Sequence, residues 1–191
     1  MTATEVLPAP PVPMLQSPAE IGALWDHVAA RPHSTVVEIG SLYGGTLWGW
    51  LHLPDVEEVV SVDQITDWDP PRTDVIAARA EWSSWPGADR LRVVEADSHH
   101  PSTVTATRVR AIDFLFIDGD HTYEGVRADF DLWSPLVRPG GTVAFHDTVP
   151  TDWAHEPGVV QIVNELKPHL RSVEWFAPEE GGVGITAFEI R

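Results

Sequence analysis

Short β-branched or apolar runs that end on an acidic residue or a glycine recur along the chain. Each is followed by a stretch whose apolar residues fall three and four apart. The clearest run is Phe114-Leu115-Phe116-Ile117, cut off by Asp118-Gly119-Asp120-His121. Four large apolar residues are too few for a buried helix, so they predict a central strand of a parallel sheet, covered on both faces. Asp118 then stands at that strand's carboxyl end. An unpaired carboxylate sealed in an apolar interior would cost several kcal/mol, so Asp118 must meet solvent, a partner or a cation. Open α/β sheets bind ligands at the carboxyl ends of their strands.

The same reading extends along the chain. Residues 1–16 contain Pro8, Pro10, Pro11 and Pro13 without apolar periodicity, which predicts a flexible lead-in to a single domain over 17–191. Ser17 and Glu20 form a capping-box pair, and Ile21, Leu24, Trp25 and Val28 follow at helical spacing, predicting a helix over Pro18 to Arg31. Thr35 to Ile39 reads as a strand, Gly40 to Gly45 as a turn and Thr46 to Leu51 as a helix. Glu58 to Val62 is a second strand ending at Asp63, and a helix through Val75, Ala78 and Trp82 stops near Pro86-Gly87. A third strand covers Leu91 to Asp97, and Ser102 to Val109 is a short helix or connection. After the opening strand, Tyr123 to Val137 is helical and Arg138-Pro139-Gly140-Gly141 ends that helix before a strand over Thr142 to Phe145. A loop with Trp153 and His155 leads to a helix near Val159 to Leu170. Strands near Val173 to Ala177 and Val183 to Ile190 close the chain.

Five strands alternating with helices imply right-handed crossovers and a doubly wound sheet. The last two strands lack a helix-length connection, so they form a hairpin that places an antiparallel strand in the sheet. The expected fold is a Rossmann-like, mostly parallel, seven-stranded α/β sheet with a C-terminal antiparallel hairpin.

Charge narrows the partners. Twelve basic residues against 29 acidic give a formal charge of −17, which argues against nucleic acid and anionic membranes and leaves a small molecule as the easier ligand. With no cysteine there is no disulfide framework, thiolate metal site or cysteine nucleophile. No apolar run approaches membrane length, and Met1 to Leu15 lacks a basic and apolar leader pattern, so a cytoplasmic protein is expected. The nine tryptophans fit core or interface anchors better than a cofactor cage, and a homodimer is a reasonable expectation for a short chain with tryptophan to spare.

Three constellations carry candidate chemistry. Glu38-x-Gly40-Ser41-x-Tyr43-Gly44-Gly45 is a glycine turn between the first strand and its helix, where a ligand can approach the backbone closely. Its spacing is not the G-x-G-x-x-G of dinucleotide binding, and Glu38 would repel a pyrophosphate while suiting a sulfonium or an amino group. Asp63 is placed to accept from both hydroxyls of a ribose, and Asp97-Ser98 to meet an adenine amino group; a solvated loop residue and a loop cap are the ordinary alternatives. At the fourth and fifth strand tips, Asp118, Asp120, His121, His146 and Asp147 come close enough to share one cation, since neighbouring strands lie about 5 Å apart. Oxygen donors suit Mg²⁺, whereas a histidine ligand suits Mn²⁺, Fe²⁺ or Zn²⁺ better. His121 can act as general base on a substrate hydroxyl; the alternative is Asp120 as helix cap with His121 exposed beside it.

From Thr35 to Asp147 the chain resembles class I S-adenosylmethionine-dependent methyltransferases. The resemblance rests on Val36-Val37-Glu38-Ile39-Gly40-Ser41-Leu42-Tyr43-Gly44-Gly45, Ser61-Val62-Asp63, Ile117-Asp118-Gly119-Asp120-His121-Thr122-Tyr123, and Pro139-Gly140-Gly141 followed by His146-Asp147. It is similar to the branch holding the macrocin-type sugar O-methyltransferases and the cephalosporin hydroxylase-type proteins of secondary metabolism. That resemblance implies S-adenosylmethionine held by Glu38, Gly40, Ser41, Tyr43, Gly44, Asp63, Asp97, Ser98 and Asp118. It further implies Mg²⁺ or Mn²⁺ at Asp118 and Asp147, with His146 as the expected third ligand from this chain, and catalysis by His121 and Asp118 on a small hydroxylated acceptor. His146 departs from the pattern, standing where those enzymes carry an acidic residue. The competing readings are a non-catalytic protein that binds S-adenosylmethionine or a metal, and an NAD-dependent oxidoreductase.

Overall fold

Seven short segments, several of them rich in β-branched residues, form strands. The computed structural model describes residues 8–65, 71–150 and 158–191. The strands are β1 (Thr35–Ile39), β2 (Glu58–Val62), β3 (Leu91–Val94), β4 (Ile112–Ile117), β5 (Val137–His146), β6 (Arg171–Trp175) and β7 (Ile185–Glu189). The helices are α1 (Pro18–Ala29), α2 (Gly45–Leu51), α3 (Arg72–Ala80), α4 (Pro101–Thr107), α5 (Tyr123–Trp133) and α6 (Gly158–Leu166). The strands form one sheet in the order β3-β2-β1-β4-β5-β7-β6. Strands β1 to β5 pair in parallel, and β7 is antiparallel to both β5 and β6. This is the seven-stranded, mostly parallel sheet with a terminal antiparallel hairpin that the pattern predicts.

Alternate residues of the central strands feed two apolar layers, as the pleat requires. Val36, Phe114 and Phe116 meet Leu24 and Trp25 of α1 and Trp50 of α2 on one face. Val37, Ile39, Leu115 and Ile117 meet Val126 and Trp133 of α5 and Ile162 of α6 on the other. Trp25, Trp50 and Trp133 are among the largest fully buried side chains, and each indole N–H has a partner: Gly49 O, Glu38 Oε2 and Ser98 O.

Boundaries shift where local chemistry outweighs periodicity. Helix α5 ends at Trp133 and passes through a 3₁₀ turn at Ser134–Leu136, because Pro135 has no N–H to continue the ladder. Arg138-Pro139-Gly140-Gly141, expected as a break, belongs to β5 instead. Gly140 N donates to Ile190 O and Ile190 N to Gly141 O, while the register against β4 shifts between Ile112 and Phe114. Residues 8–16 adopt neither helix nor strand, yet they are packed: Val12 is buried, Met14 lies against Gly45, and Trp48 Nε1 donates to Pro8 O. The expected loop with Trp153 and His155 falls outside the described residues. Among those described, no helix is long and apolar enough to cross a membrane.

Register brings the functional tips level. Ile39 pairs with Ile117, and Ile117 with Phe145, so Gly40, Asp118 and His146 emerge side by side. Phe116, fully buried and in edge contact with Trp50, anchors β4 just before Asp118. Truncation of Phe116 to Ala is expected to cost about 3–5 kcal/mol of stability in urea denaturation, with an unchanged m-value. A loss below about 1 kcal/mol would contradict this account of the core.

Candidate active site

The strand tips open on a cavity of about 790 Å³ lined by all five parallel-strand ends and by residues 13–17. Its first wall is the turn after β1. Gly40 has φ +81°, and a Cβ there would lie 2.1 Å from Asp118 O, so only glycine fits between the tips of β1 and β4. Gly44 has φ +91° and abuts the Trp82 ring, so it faces away from the cavity, whereas Ser41, Tyr43 and Gly45 line it.

The turn is held from behind by groups distant in sequence. Asp63 Oδ2 accepts from Ser41 N at 2.8 Å and Leu42 N at 2.9 Å. Arg79 Nε donates to Leu42 O at 2.9 Å, and Trp82 Nε1 to Tyr43 O at 2.9 Å. Asp63 lines the cavity as expected, but much of its acceptor capacity is already used by the turn, which limits what remains for two ribose hydroxyls.

Two expected contact residues lie outside the wall. Glu38 is fully buried beneath the turn, where Oε2 accepts from Trp50 Nε1 at 2.5 Å. Burial pushes its pKa up to about 8 despite the hydrogen bonds from Trp50, Thr46 and Ser41. The Asp97 side chain points outward, and its Oδ1 accepts from His99 N at 2.9 Å. Ser98 and His99 form the wall at that strand tip. Behind them Asp129, which sequence reasoning passed over, is fully buried with Oδ2 3.5 Å from His99 Nε2. Burial pushes Asp129 up to about 6 against the opposing pull of Ser98 and His99.

At the opposite end the acidic and imidazole groups converge. His146 Nδ1 is 3.1 Å from both Asp118 Oδ1 and Asp147 Oδ2; because carboxylates only accept, this nitrogen is the donor. Burial lowers the His146 pKa, but the two carboxylates outweigh it and push the value up to about 10, placing an imidazolium between them. His121 Nε2 is 3.5 Å from Asp118 Oδ1 and 3.3 Å from Asp147 Oδ2. Its hydrogen bond to Asp118 raises its pKa against the effect of partial burial. Burial pushes the Asp118 carboxyl up, and the two histidines reverse this and hold it below the usual carboxylate range. Thr122, not Asp120, caps α5 with its side chain, while Asp120 Oδ1 accepts from Thr122 N.

Asp118, His121 and Asp147 each offer a ligand atom within 4.8 Å of the others and could hold a metal ion, while His146 lies against the same two carboxylates outside this group. Gln16 was not foreseen either. Its Nε2 donates to Asp118 Oδ2 at 2.5 Å across 102 residues of sequence, and nothing local in the sequence marks it.

Residues 37–148 match the family model described as a methyltransferase domain. An uncharacterized protein of Acanthamoeba polyphaga mimivirus is 28% identical over 141 residues, covering 72% of this chain and 61% of that protein. The chain thus spans about three fifths of that relative's length. Among solved structures, one from Staphylococcus aureus, assigned as a caffeoyl-CoA O-methyltransferase, superposes with a TM-score of 0.71 at 15% identity, covering 93% of this chain and 86% of the other. The O-methyltransferase TomG of Streptomyces achromogenes, solved with S-adenosylmethionine, gives 0.65 at 19% identity over 93% and 81% of the two chains. At these identities the structural likeness establishes the fold.

Glu38 yields a pH prediction. Its folded-state pKa of about 8 lies above the ordinary value of 4.5, so its contribution to stability is complete below the ordinary value and is lost as pH rises through 8. Glu38→Gln, which mimics the protonated acid, is expected to match the wild type near pH 5 and to exceed it at pH 9 by on the order of 3 kcal/mol in denaturation experiments. Parallel pH–stability curves for the two proteins would show that Glu38 ionises normally in the fold.

Proposed function

The chain belongs to this family of methyltransferase domains, and we propose that it transfers a methyl group from S-adenosylmethionine to a hydroxyl of a small acceptor. One observation carries the reading. A single cavity joins the glycine turn, Asp63 and Ser98 at one end to Asp118, His121, His146 and Asp147 at the other. The first group suits an adenosyl cofactor with a cationic sulfur. The second can take a proton and orient an oxygen.

In the proposed reaction the acceptor oxygen attacks the sulfonium methyl in line. The O–CH₃ bond forms as the CH₃–S bond breaks, the electron pair stays on sulfur, and S-adenosylhomocysteine leaves. The hydroxyl proton passes to His121. Because Nε2 of His121 faces the two carboxylates, Nδ1 is the nitrogen that accepts the proton, and Asp118 and Asp147 stabilise the imidazolium formed. Alignment in the cavity supplies the largest share, since effective molarities are worth about 7–11 kcal/mol.

Asp118, Asp147 and His121 also make a set that fits a divalent cation. Two carboxylates with one imidazole suit Mn²⁺, Fe²⁺ or Zn²⁺ better than Mg²⁺, and His146 adds no further oxygen. A cation held there would supply Lewis-acid orientation of the acceptor oxygens. It would also engage the His121 nitrogen that otherwise donates to the carboxylates. A natural-product acceptor is in keeping with TomG, described as acting in tomaymycin synthesis.

The test is methyl transfer from methyl-labelled S-adenosylmethionine to a panel of phenols, catechols and sugars. His121→Ala is expected to lower kcat by about 10²–10⁴-fold while S-adenosylhomocysteine affinity stays within about threefold. Full activity in that variant would remove His121 as base. Dialysis against EDTA is expected to reduce turnover, with Mn²⁺ restoring more of it than Mg²⁺. Activity indifferent to EDTA would show that the trio works without metal.

A further inference from the structure

Gln16 stands where two separately anchored pieces of chain meet, and the reaction above gives it no part. On its N-terminal side, Trp48 Nε1 donates to Pro8 O at 2.9 Å and Val12 is buried. Met14 presses so closely on α2 that a Cβ at Gly45 would lie 2.5 Å from Met14 Cβ. On its C-terminal side, Ser17 caps α1 by accepting from Glu20 N, and Glu180 Oε2 accepts from Ser17 Oγ at 3.2 Å and from Ala19 N at 3.0 Å. Pinned between these anchors, Gln16 has little backbone freedom, and its half-buried side chain lines the cavity.

The amide ends on Asp118. Nε2 donates to Oδ2 at 2.5 Å, whereas Oδ1 faces His146 Nδ1 at 3.1 Å and His121 Nε2 at 3.5 Å. Each oxygen thus has its own partners. A carboxylate turns about its Cβ–Cγ bond through a broad, two-fold torsion, so contacts to one oxygen alone set its plane poorly. A donor on the second oxygen removes that freedom. The Asp118 side chain is only 7% exposed, so water is a poor substitute for the amide, and a hydrogen bond to an ionised acceptor is stronger than a neutral one. The consequence passes to His121, whose Nε2 rests on Asp118 and Asp147.

We propose that Gln16 is a positioning residue for methyl transfer: its amide holds Asp118 Oδ2, so that Oδ1 stays with the two histidines and the His121 base stays aimed at the acceptor hydroxyl. This rests on the reading of His121 as base. It makes the segment before α1 part of the reacting centre, because the group that orients the base is carried there. An amide neither gives nor takes a proton near neutral pH, so the effect of Gln16 is transmitted through Asp118.

Steady-state methyl transfer by the full chain, compared in two backgrounds, tests this. Gln16→Met keeps the length of the side chain and removes the amide. It is expected to lower kcat about 10- to 100-fold while acceptor KM and S-adenosylhomocysteine affinity stay within about threefold, since a small misplacement of a reacting group costs rate more than binding. In His121→Ala, where no base remains to be aimed, the same substitution is expected to lower kcat by less than about a further threefold. Gln16→Glu, which sets a second carboxylate against Asp118, should fall at least as far as Gln16→Met. Imidazole NMR of EDTA-treated protein gives a readout free of turnover: the His146 Nδ1 proton is expected to be sharp in the wild type and broadened by exchange in Gln16→Met.

Wild-type kcat in Gln16→Met, an equal loss in both backgrounds, or a raised acceptor KM at unchanged kcat overturns the proposal, and so does an imidazole spectrum identical to that of the wild type. Should Gln16→Met not fold, Gln16→Asn, whose amide falls one methylene short of Asp118, decides by the same readouts. Wild-type protein that moves no methyl group to any acceptor of the panel sinks the His121 reading itself, and the imidazole spectra then decide the link from Gln16 to Asp118 on their own.

Discussion

The site depends on the registration of three strand ends. Because Ile39, Ile117 and Phe145 lie level across β1, β4 and β5, the next residues, Gly40, Asp118 and His146, meet in one place. A slip of one residue in β4 would draw Asp118 into the buried place of Ile117 and exchange the two apolar layers, so burial of Phe114 to Ile117 on both faces enforces the alignment. The apolar layers therefore decide where the charges stand. Gly40 completes the constraint, since any side chain there would push the tips of β1 and β4 apart.

Around this frame the polar groups are arranged in two linked clusters. One holds the glycine turn by its backbone: Asp63 takes two of its N–H groups, and Arg79 and Trp82 take two of its carbonyls. The other balances charge, with His146 between Asp118 and Asp147 and His121 within reach of both. Gln16 ties the N-terminal segment to the second cluster by its bond to Asp118, and residues 13–17 thereby become part of the cavity wall. Glu38 lies under the first cluster and Asp129 under the Ser98–His99 wall, each a buried acid whose ordinary ionisation is suppressed by desolvation.

Strand identity was readable wherever β-branched runs were short and sharply bounded. Thr35 to Ile39 and Glu58 to Val62 coincide with β1 and β2, and the hairpin topology followed from the short connection between the last two strands. Pro139-Gly140-Gly141 misled because breakers act on local geometry, while pairing with the end of β7 draws that segment into β5. In the site, the tip residues Asp118, His121, His146 and Asp147 were legible because strand ends concentrate ligands. The grouping of His121 with Asp118 and Asp147 was not, since side-chain direction decides it. Arg79, Gln16 and Asp129 went unmarked because their partners lie far away in sequence and a charged residue on a helix looks like a solvated one. Glu38 and Asp97 stood at expected positions, yet one is sealed behind the turn and the other points outward.

If the strand-tip cavity is the cofactor site, the reacting centre is directed at Asp118 and His121. A crystal structure grown with S-adenosylhomocysteine tests this most directly. The expected difference density runs from Ser98, past Asp63 and along the Gly40–Gly45 turn, with its sulfur on the side of Asp118 and His121. Density elsewhere on the molecule, or a cavity that stays empty of a ligand shown to bind in solution, would contradict it.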